Sequence, residues 1–445
     1  MTTTLIKNAK IVNEGIVVES DILIEGAYIK KIAQGITTTN KTHIIDANGS
    51  YLLPGLIDDQ VHFREPGLVH KATIATESKA AIAGGITTFI EQPNTNPQTT
   101  NIDELEAKFS TASRTSYANF SFMFGGTNDN LEAIKQLDKN VCAGVKLFLG
   151  SSTGNMLVDN EVVLEKIFSS TNMVISAHCE DEGTIRNNIE KYRSIYGEDI
   201  PIKYHPLIRS EQACYLSSSQ AIGLAKKTGA RLHVFHVSTE KETSLFRNDI
   251  PLKEKKITAE VCVHHLWFSE EDYEEKGTFI KWNPAVKKTS DREGLWKALL
   301  DDRIDIIATD HAPHTLEEKN AVYTKAPSGG PLVQHALPAL IEASNNGKIG
   351  IETIVQKMCH NPAILFDIKK RGYIREGYYA DLVLVQSHNP WKVSRENILY
   401  KCGWSPFEGT TFNSKITHTF VDGHLAFEKG KFSDQREAKR LEFNR

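Results

Sequence analysis

The sequence predicts an α/β protein: a closed (β/α)8 barrel, of the TIM type, carrying a small discontinuous β-sandwich domain built from both chain ends. Three observations lead there. Between residues 55 and 369 eight short apolar runs alternate with segments of helical spacing, the texture of repeated βα units. Ionisable residues gather at the C-terminal ends of those runs, the face on which such barrels carry their chemistry. Both termini, in contrast, read as short β-rich pieces separated by glycine turns. A chain of 445 residues accommodates a barrel of about 250 residues with an appended domain.

Taken in order, TLIKNAKIV, GIVVESDILIEGAYIKKIA and THIIDANGSYLLPG fill residues 1–54 with antiparallel-type strands. The eight runs of the barrel are GLIDDQVHF, GITTFIEQPN, ANFSFMFGG, AGVKLFLG, NMVISAHCE, RLHVFHVS, ITAEVCVHH and IDIIATDHAPH. Most are followed by a polar loop and a helical pattern, of which HKATIATESKAAIAGG is the clearest. The β texture returns in YIREGYYADLVLVQ and SKITHTFVDGHLAFEKGKF, so residues 1–54 and 370–445 are assigned to the small β domain and 55–369 to the barrel.

A net charge of −4, with 40% hydrophobic and 24% charged residues, is ordinary for a globular protein and supplies no basic stripe for nucleic acid. The N-terminal MTTTLIKNAKIVNEG lacks the pattern of a signal peptide, and no run of about 18 apolar residues occurs. A cytoplasmic protein with neither nucleic-acid nor membrane partner is expected. Six cysteines (142, 179, 214, 262, 359 and 402) are scattered without a CxxC, which indicates neither a disulfide framework nor a thiolate zinc site.

His62, His178, His236 and Asp310 each leave an apolar run near its C-terminal end. One such histidine is more often a satisfied core residue. Three with a carboxylate at one barrel mouth are the donor types of a catalytic zinc site. Lys146 lies between Val145 and Leu147, so its ammonium either snorkels to the mouth or is neutralised; a carbamate formed on the neutral amine would be an anionic ligand able to bridge two metals. Asp310 either caps its loop or binds metal and carries a proton. Arg64 has no lone pair for a metal and suits a substrate carboxylate, with the amide of Asn94 beside it. The roles of His233, His264, His265 and His311 stay open.

With these residues in hand, the chain resembles the amidohydrolase superfamily and within it the dihydroorotases. The likeness runs through PGLIDDQVHFREPG, EQPNT, VKLFLG, ISAHCE, LHVFHVS, TAEVCVHHL, KWNPAVK, ATDHAPHT and GYYADLVLV, with REPG and DHAPH the most specific. It implies reversible, zinc-dependent cyclisation of N-carbamoyl-L-aspartate to (S)-dihydroorotate and water in pyrimidine biosynthesis, with one or two zinc ions per chain. By the same resemblance His62, Lys146, His178, His236 and Asp310 are metal ligands, Lys146 as a carbamate, and Asp310 is the catalytic acid and base. Arg64, Asn94 and His314 hold the substrate carboxylate, Asn283 contacts the ring, and residues 326–338, APSGGPLVQHALP, form a glycine-rich substrate loop. KWNPAVK departs from the family's commoner NPPLR at Ala285, Val286 and Lys287. A homodimer is implied, and association with aspartate carbamoyltransferase is a further expectation.

Gln60 departs from the pattern, because it stands where the family has the first histidine of HxH and an amide oxygen suits zinc less well than imidazole. The expectation is a metal enzyme with one altered site. Allantoinase or dihydropyrimidinase is the alternative activity, which Arg64 disfavours, and an inactive scaffold for aspartate carbamoyltransferase is the alternative outside catalysis.

Overall fold

A computed structural model describes residues 3–38, 41–150, 156–158 and 160–445. The first five strands, β1 (Thr3–Asn13), β2 (Ile16–Glu25), β3 (Tyr28–Ala33), β4 (His43–Asp46) and β5 (Tyr51–Pro54), precede the barrel. The barrel strands are β6 (Leu56–Val61), β7 (Ile86–Glu91), β8 (Asn119–Gly125), β9 (Gly144–Phe148), β10 (Val174–His178), β11 (Arg231–Val234), β12 (Ile257–Cys262) and β13 (Ile306–Ala308). They pair in parallel and in sequence order from β6 to β13. Closure occurs where Val61 bridges His311 and the His62 N–H donates to the His311 carbonyl at 2.7 Å.

Alternation along each strand decides what faces where. In β9, Val145 and Leu147 join the apolar layer between barrel and helices, while Lys146 and Phe148 line the cavity at the mouth. In β10, Ile175 and Ala177 face that outer layer and His178 faces the cavity. An inner apolar cluster is formed by Ile57, Ile90, Met123, Val174 and Ile306 together with Phe366 and the C-terminal Leu441 and Phe443.

The first helix, α1 (Ile74–Ala83), follows the expected pattern. Thr73 caps it in a reciprocal box with Thr76, and Ile74, Ala80, Ala81 and Ile82 are buried. It stops at Gly84, where an added Cβ would lie 2.1 Å from the Val333 carbonyl oxygen. Among the described residues no helix is long and apolar enough to cross a membrane.

After the barrel, β14 (Leu382–Gln386), a two-strand ribbon of β15 (Trp391–Lys392) and β16 (Thr411–Phe412), β17 (Lys415–Val421), β18 (His424–Glu428) and β19 (Lys431–Phe432) follow. One nine-stranded sheet joins the two chain ends in the order β19-β18-β17-β14-β5-β1-β2-β3, with β4 beside β1. Its central joint pairs β5 with β14, Leu53 opposite Val383. Leu53, Val383 and Val421 belong to the apolar layer shared with the barrel, whereas Leu52, Leu382, Leu384 and Phe420 form the sheet's own core.

Arg371 locks this sheet. Its guanidinium pairs with Asp381, just before β14, and with Asp422, just after β17, the latter at 2.6 Å, and all three side chains are buried. Asn119 of the barrel also donates to Asp381 at 3.2 Å. Removing the cation leaves the buried Asp381 without its counter-charge and Asp422 with only the half-exposed Lys439, 3.1 Å away. Arg371→Met is therefore expected to destabilise the fold by about 3–5 kcal/mol, read as a lower midpoint in urea unfolding; a midpoint equal to wild type would count against this role.

Candidate active site

A cavity of about 400 Å³ opens at the C-terminal mouth of the barrel. Its wall includes every residue singled out from the sequence for metal or substrate: His62, Arg64, Asn94, Lys146, His178, His236, Asn283, Asp310 and His314, and Gln60 as well. These nine side chains come from six strand ends and two following loops, and the barrel brings them together. Pro327, Ser328 and Gly329 of the expected substrate loop complete the rim.

Two histidine groups are distinguishable. His62 presents Nδ1 to Asn94 Oδ1 at 2.7 Å and Nε2 to Asp310 Oδ1 at 3.2 Å. An Nδ1–H donated to Asn94 leaves the Nε2 lone pair facing Asp310. On the other side, His178 Nδ1 stands 3.0 Å from His236 Nε2, while His178 Nε2 lies 3.0 Å from Glu180. Burial lowers the pKa of all three imidazoles, that of His236 far below its ordinary value. Burial opposes the charge of Glu180, but Arg209 and His178 outweigh it and hold that carboxyl at about 2.

Lys146 is 1% exposed, its Nζ has no hydrogen-bond partner among the described residues, and it sits 3.8 Å from the centre of the Phe235 ring. Burial pushes its pKa down to about 7, against the pull of Glu260. A neutral amine is thus accessible at physiological pH, which snorkelling to the mouth would not give. Gln60 is buried, and its amide oxygen faces the Cys262 thiol at a sulfur–oxygen distance of 3.7 Å.

Arg64 donates Nε to the Pro313 carbonyl and places Nη2 3.0 Å from His314 Nε2. Burial lowers its pKa to about 10, so it remains a cation. The other cationic wall residues have acidic partners: Lys71 pairs with Glu318 at 2.9 Å, and Arg209 pairs with Glu180. Among the described residues no carboxylate lies within ion-pair distance of Arg64. Arg64, His236 and Asp310 also adopt positive φ, at 68°, 40° and 48°. Such backbone is uncommon outside glycine and concentrates where a site is held against strain.

Sequence reading did not single out Lys71, Glu180, Arg209 or Trp282, all of which line the cavity or bond to a residue that does. Glu180 stands two residues beyond His178 and was the most findable of the four. Of the open histidines, His311 bonds to Glu77 at 2.8 Å and receives the Leu332 N–H, which makes it a tether of the barrel seam. His265 lies 3.1 Å from the Pro284 carbonyl, and His264 stacks on Trp282.

Two buried lysines hold the rim segment 323–329 by its carbonyls. Lys319 Nζ donates to Pro327 and Gly329 at 2.9 and 2.8 Å, and Lys281 Nζ to Tyr323 and Ala326 at 2.6 Å each. Gly329, at φ +127°, leaves no room for a Cβ, which would lie 2.5 Å from the Ala312 carbonyl. Lys319→Met should release the rim and raise KM about tenfold, with kcat changed by less than about threefold, as read from steady-state kinetics. A fall in kcat at unchanged KM would contradict this role.

A barrel mouth that combines imidazoles, a neutralisable lysine, a carboxylate and an unpaired guanidinium defines a hydrolase of the (β/α)8 class. The chain belongs to the amidohydrolase family, whose model, described as "Amidohydrolase family", matches residues 51–426. Members of this family are typically metal-dependent.

Curated relatives include a dihydroorotase of Halobacterium salinarum, 34% identical over 87% of this chain and 89% of its own length. A dihydroorotase of Staphylococcus epidermidis is 33% identical over 96% of this chain and 100% of its own. Among solved structures, L-hydantoinase (dihydropyrimidinase) from Arthrobacter aurescens matches with a TM-score of 0.93 at 26% identity, covering 100% of both chains. D-Hydantoinase from Thermus sp., at 24% identity and a TM-score of 0.87 over 98% of each chain, shares the fold.

Proposed function

We propose that this chain is a dihydroorotase, interconverting N-carbamoyl-L-aspartate with (S)-dihydroorotate and water. The observation that carries the reading is Arg64, a buried guanidinium on the cavity wall with no carboxylate partner among the described residues. A buried cation without a counter-charge is costly, and the carboxylate of the substrate would supply one. Asn94 and His314 adjoin the same corner, and Asn283, whose buried Oδ1 has no hydrogen-bond partner among the described residues, would meet the ring.

The donor set fits a divalent metal such as zinc. His178 Nδ1 and His236 Nε2 face each other at 3.0 Å, and Lys146, whose Nζ has no hydrogen-bond partner among the described residues, lines the same cavity. Lys146, deprotonated by burial, would join them as a carbamate, and His62 and Asp310 complete the set. Bound there, zinc supplies Lewis acidity towards the ring carbonyl and a nucleophile usable at neutral pH. Asp310, fixed by His62, takes the proton of the attacking water and returns it to the leaving ring nitrogen; in ring closure the proton travels back. Glu180, held ionised by Arg209, orients His178 through Nε2.

Gln60 weakens the His62 side as a metal site, so one metal on the His178 side is the expected complement. A homodimer and association with aspartate carbamoyltransferase are carried by the resemblance alone. A hydantoinase is the second reading, favoured by the overlay with the Arthrobacter aurescens enzyme.

The test is turnover of dihydroorotate and of hydantoin by one preparation, with intact mass and metal content measured on the same sample. Turnover of dihydroorotate in preference to hydantoin, with a mass gain of one CO2 lost in Lys146→Ala, is expected. Preference for hydantoin would replace the reading with the second one, and turnover of neither after zinc and bicarbonate are supplied would leave the scaffold.

A further inference from the structure

Inside the barrel, apart from the residues that line the cavity, Asp59, His233 and Glu260 converge with their side chains completely buried. His233 Nε2 lies 3.3 Å from Asp59 Oδ2 and 3.3 Å from Glu260 Oε2, and the three ligand-type atoms all fall within 4.8 Å of one another. The surroundings are apolar: the rings of Phe235 and Phe366 stand 5.5 and 6.2 Å from the His233 ring. Glu260 ties this cluster to the cavity wall, through its electrostatic pairing with Lys146 and through the His236 N–H.

The hydrogen bonds around the cluster fix the His233 tautomer. Thr258 gives its hydroxyl proton to the Leu232 carbonyl at 3.3 Å, so at 2.8 Å from His233 Nδ1 it acts as the acceptor of an Nδ1–H. In the neutral ring that leaves the Nε2 lone pair directed at two carboxylates; with no cation between them, burial opposes the charge of the ring but Asp59 and Glu260 outweigh it and push its pKa up to about 9. Among the described residues none gives a hydrogen bond to either oxygen of Asp59, although the side chain is wholly buried. Glu260 uses Oε1 to accept the His236 N–H at 3.1 Å and turns Oε2 to His233.

A proton on Nε2 would satisfy this arrangement poorly. One N–H would be shared between two carboxylates, each farther away than the 2.7–2.9 Å or so usual for a charge-assisted hydrogen bond, and Asp59 would still lack a donor. A tetrahedral divalent ion with bonds of about 2.0–2.2 Å separates its ligand atoms by about 3.3–3.6 Å, which is the spacing of His233 Nε2 from each of the two carboxylate oxygens. Two carboxylates and a neutral imidazole also neutralise a divalent charge, as burial in an apolar interior requires.

We infer that Asp59, His233 and Glu260 form a buried structural site for a divalent transition metal, zinc by its donor set, distinct from the metal proposed at the cavity. It does not depend on the dihydroorotase reading. Its place is beneath the strand ends that carry His236 and Gln60, where Glu260 links the ion to the His236 backbone. An ion so enclosed exchanges slowly, unlike one in a cavity open to solvent.

The experiment is anomalous diffraction on either side of the zinc edge from crystals of the full chain grown with zinc, together with elemental analysis after dialysis against a chelator. A peak among the three side chains, and about one zinc per chain that survives dialysis in wild type and in His178→Ala but is lost in Asp59→Asn, is expected. Absence of a peak there, or a retained zinc that Asp59→Asn leaves unchanged, overturns the inference. Should Asp59→Asn fail to fold, the wild-type anomalous map decides alone.

Discussion

Asp310→Asn should lower kcat for dihydroorotate by about 10²–10⁴, the usual contribution of a positioned acid and base, while KM moves little. Asparagine keeps the shape and can donate its amide N–H to the His62 Nε2 lone pair, which lies 3.2 Å from the Asp310 carboxylate. What it cannot do is take a proton from the attacking water and return it to the ring nitrogen. The backbone at Asp310, at φ 48°, tolerates asparagine better than most side chains, so the variant should fold with an unaltered circular dichroism spectrum. Activity within about threefold of wild type would remove Asp310 from the proton path.

Arg64→Ala should cost kcat/KM for dihydroorotate about 2–5 kcal/mol, which is roughly 30- to 5,000-fold, because the substrate carboxylate would enter a buried corner with no cation to meet it. Hydantoin bears no carboxylate and supplies the control. Its turnover reports the purely structural loss, including that of the hydrogen bond to the Pro313 carbonyl. Comparing kcat/KM for both substrates in wild type and variant separates the two effects. An equal fall for both would mean that Arg64 braces the mouth and does not read a carboxylate. Arg64→Lys is expected to recover only part of the loss, since an ammonium cannot bind Pro313 and a carboxylate in the same fork.

The barrel was legible because a parallel strand covered on both faces must be apolar along its body, and eight such runs were present, even though β13 shortens to three residues. Site residues at strand ends were legible for a related reason: an ionisable group that ends an apolar run has no solvent-facing alternative. Arg209 and Lys71 were not, because they reach the cavity from segments between strands, where no periodicity marks direction. His233 and His236 show the limit of spacing. They leave one stretch of chain three residues apart, yet one enters the barrel interior and the other the mouth, and the turn at His236, with φ 40°, decides which. The order of strands in the nine-stranded sheet was equally hidden, since it rests on partners at opposite ends of the chain.

The pairing of Leu53 with Val383 has a consequence for how the molecule is made. A ribosome releases β1 to β5 first and their partner β14 only after the whole barrel has emerged, so the sheet's central joint is among the last long-range contacts that can form. Throughout synthesis of the barrel the β5 edge stands unpaired and open to strands of other chains. The nascent chain is therefore most vulnerable to aggregation not while its catalytic half is unfinished but just afterwards, in the interval before β14 docks.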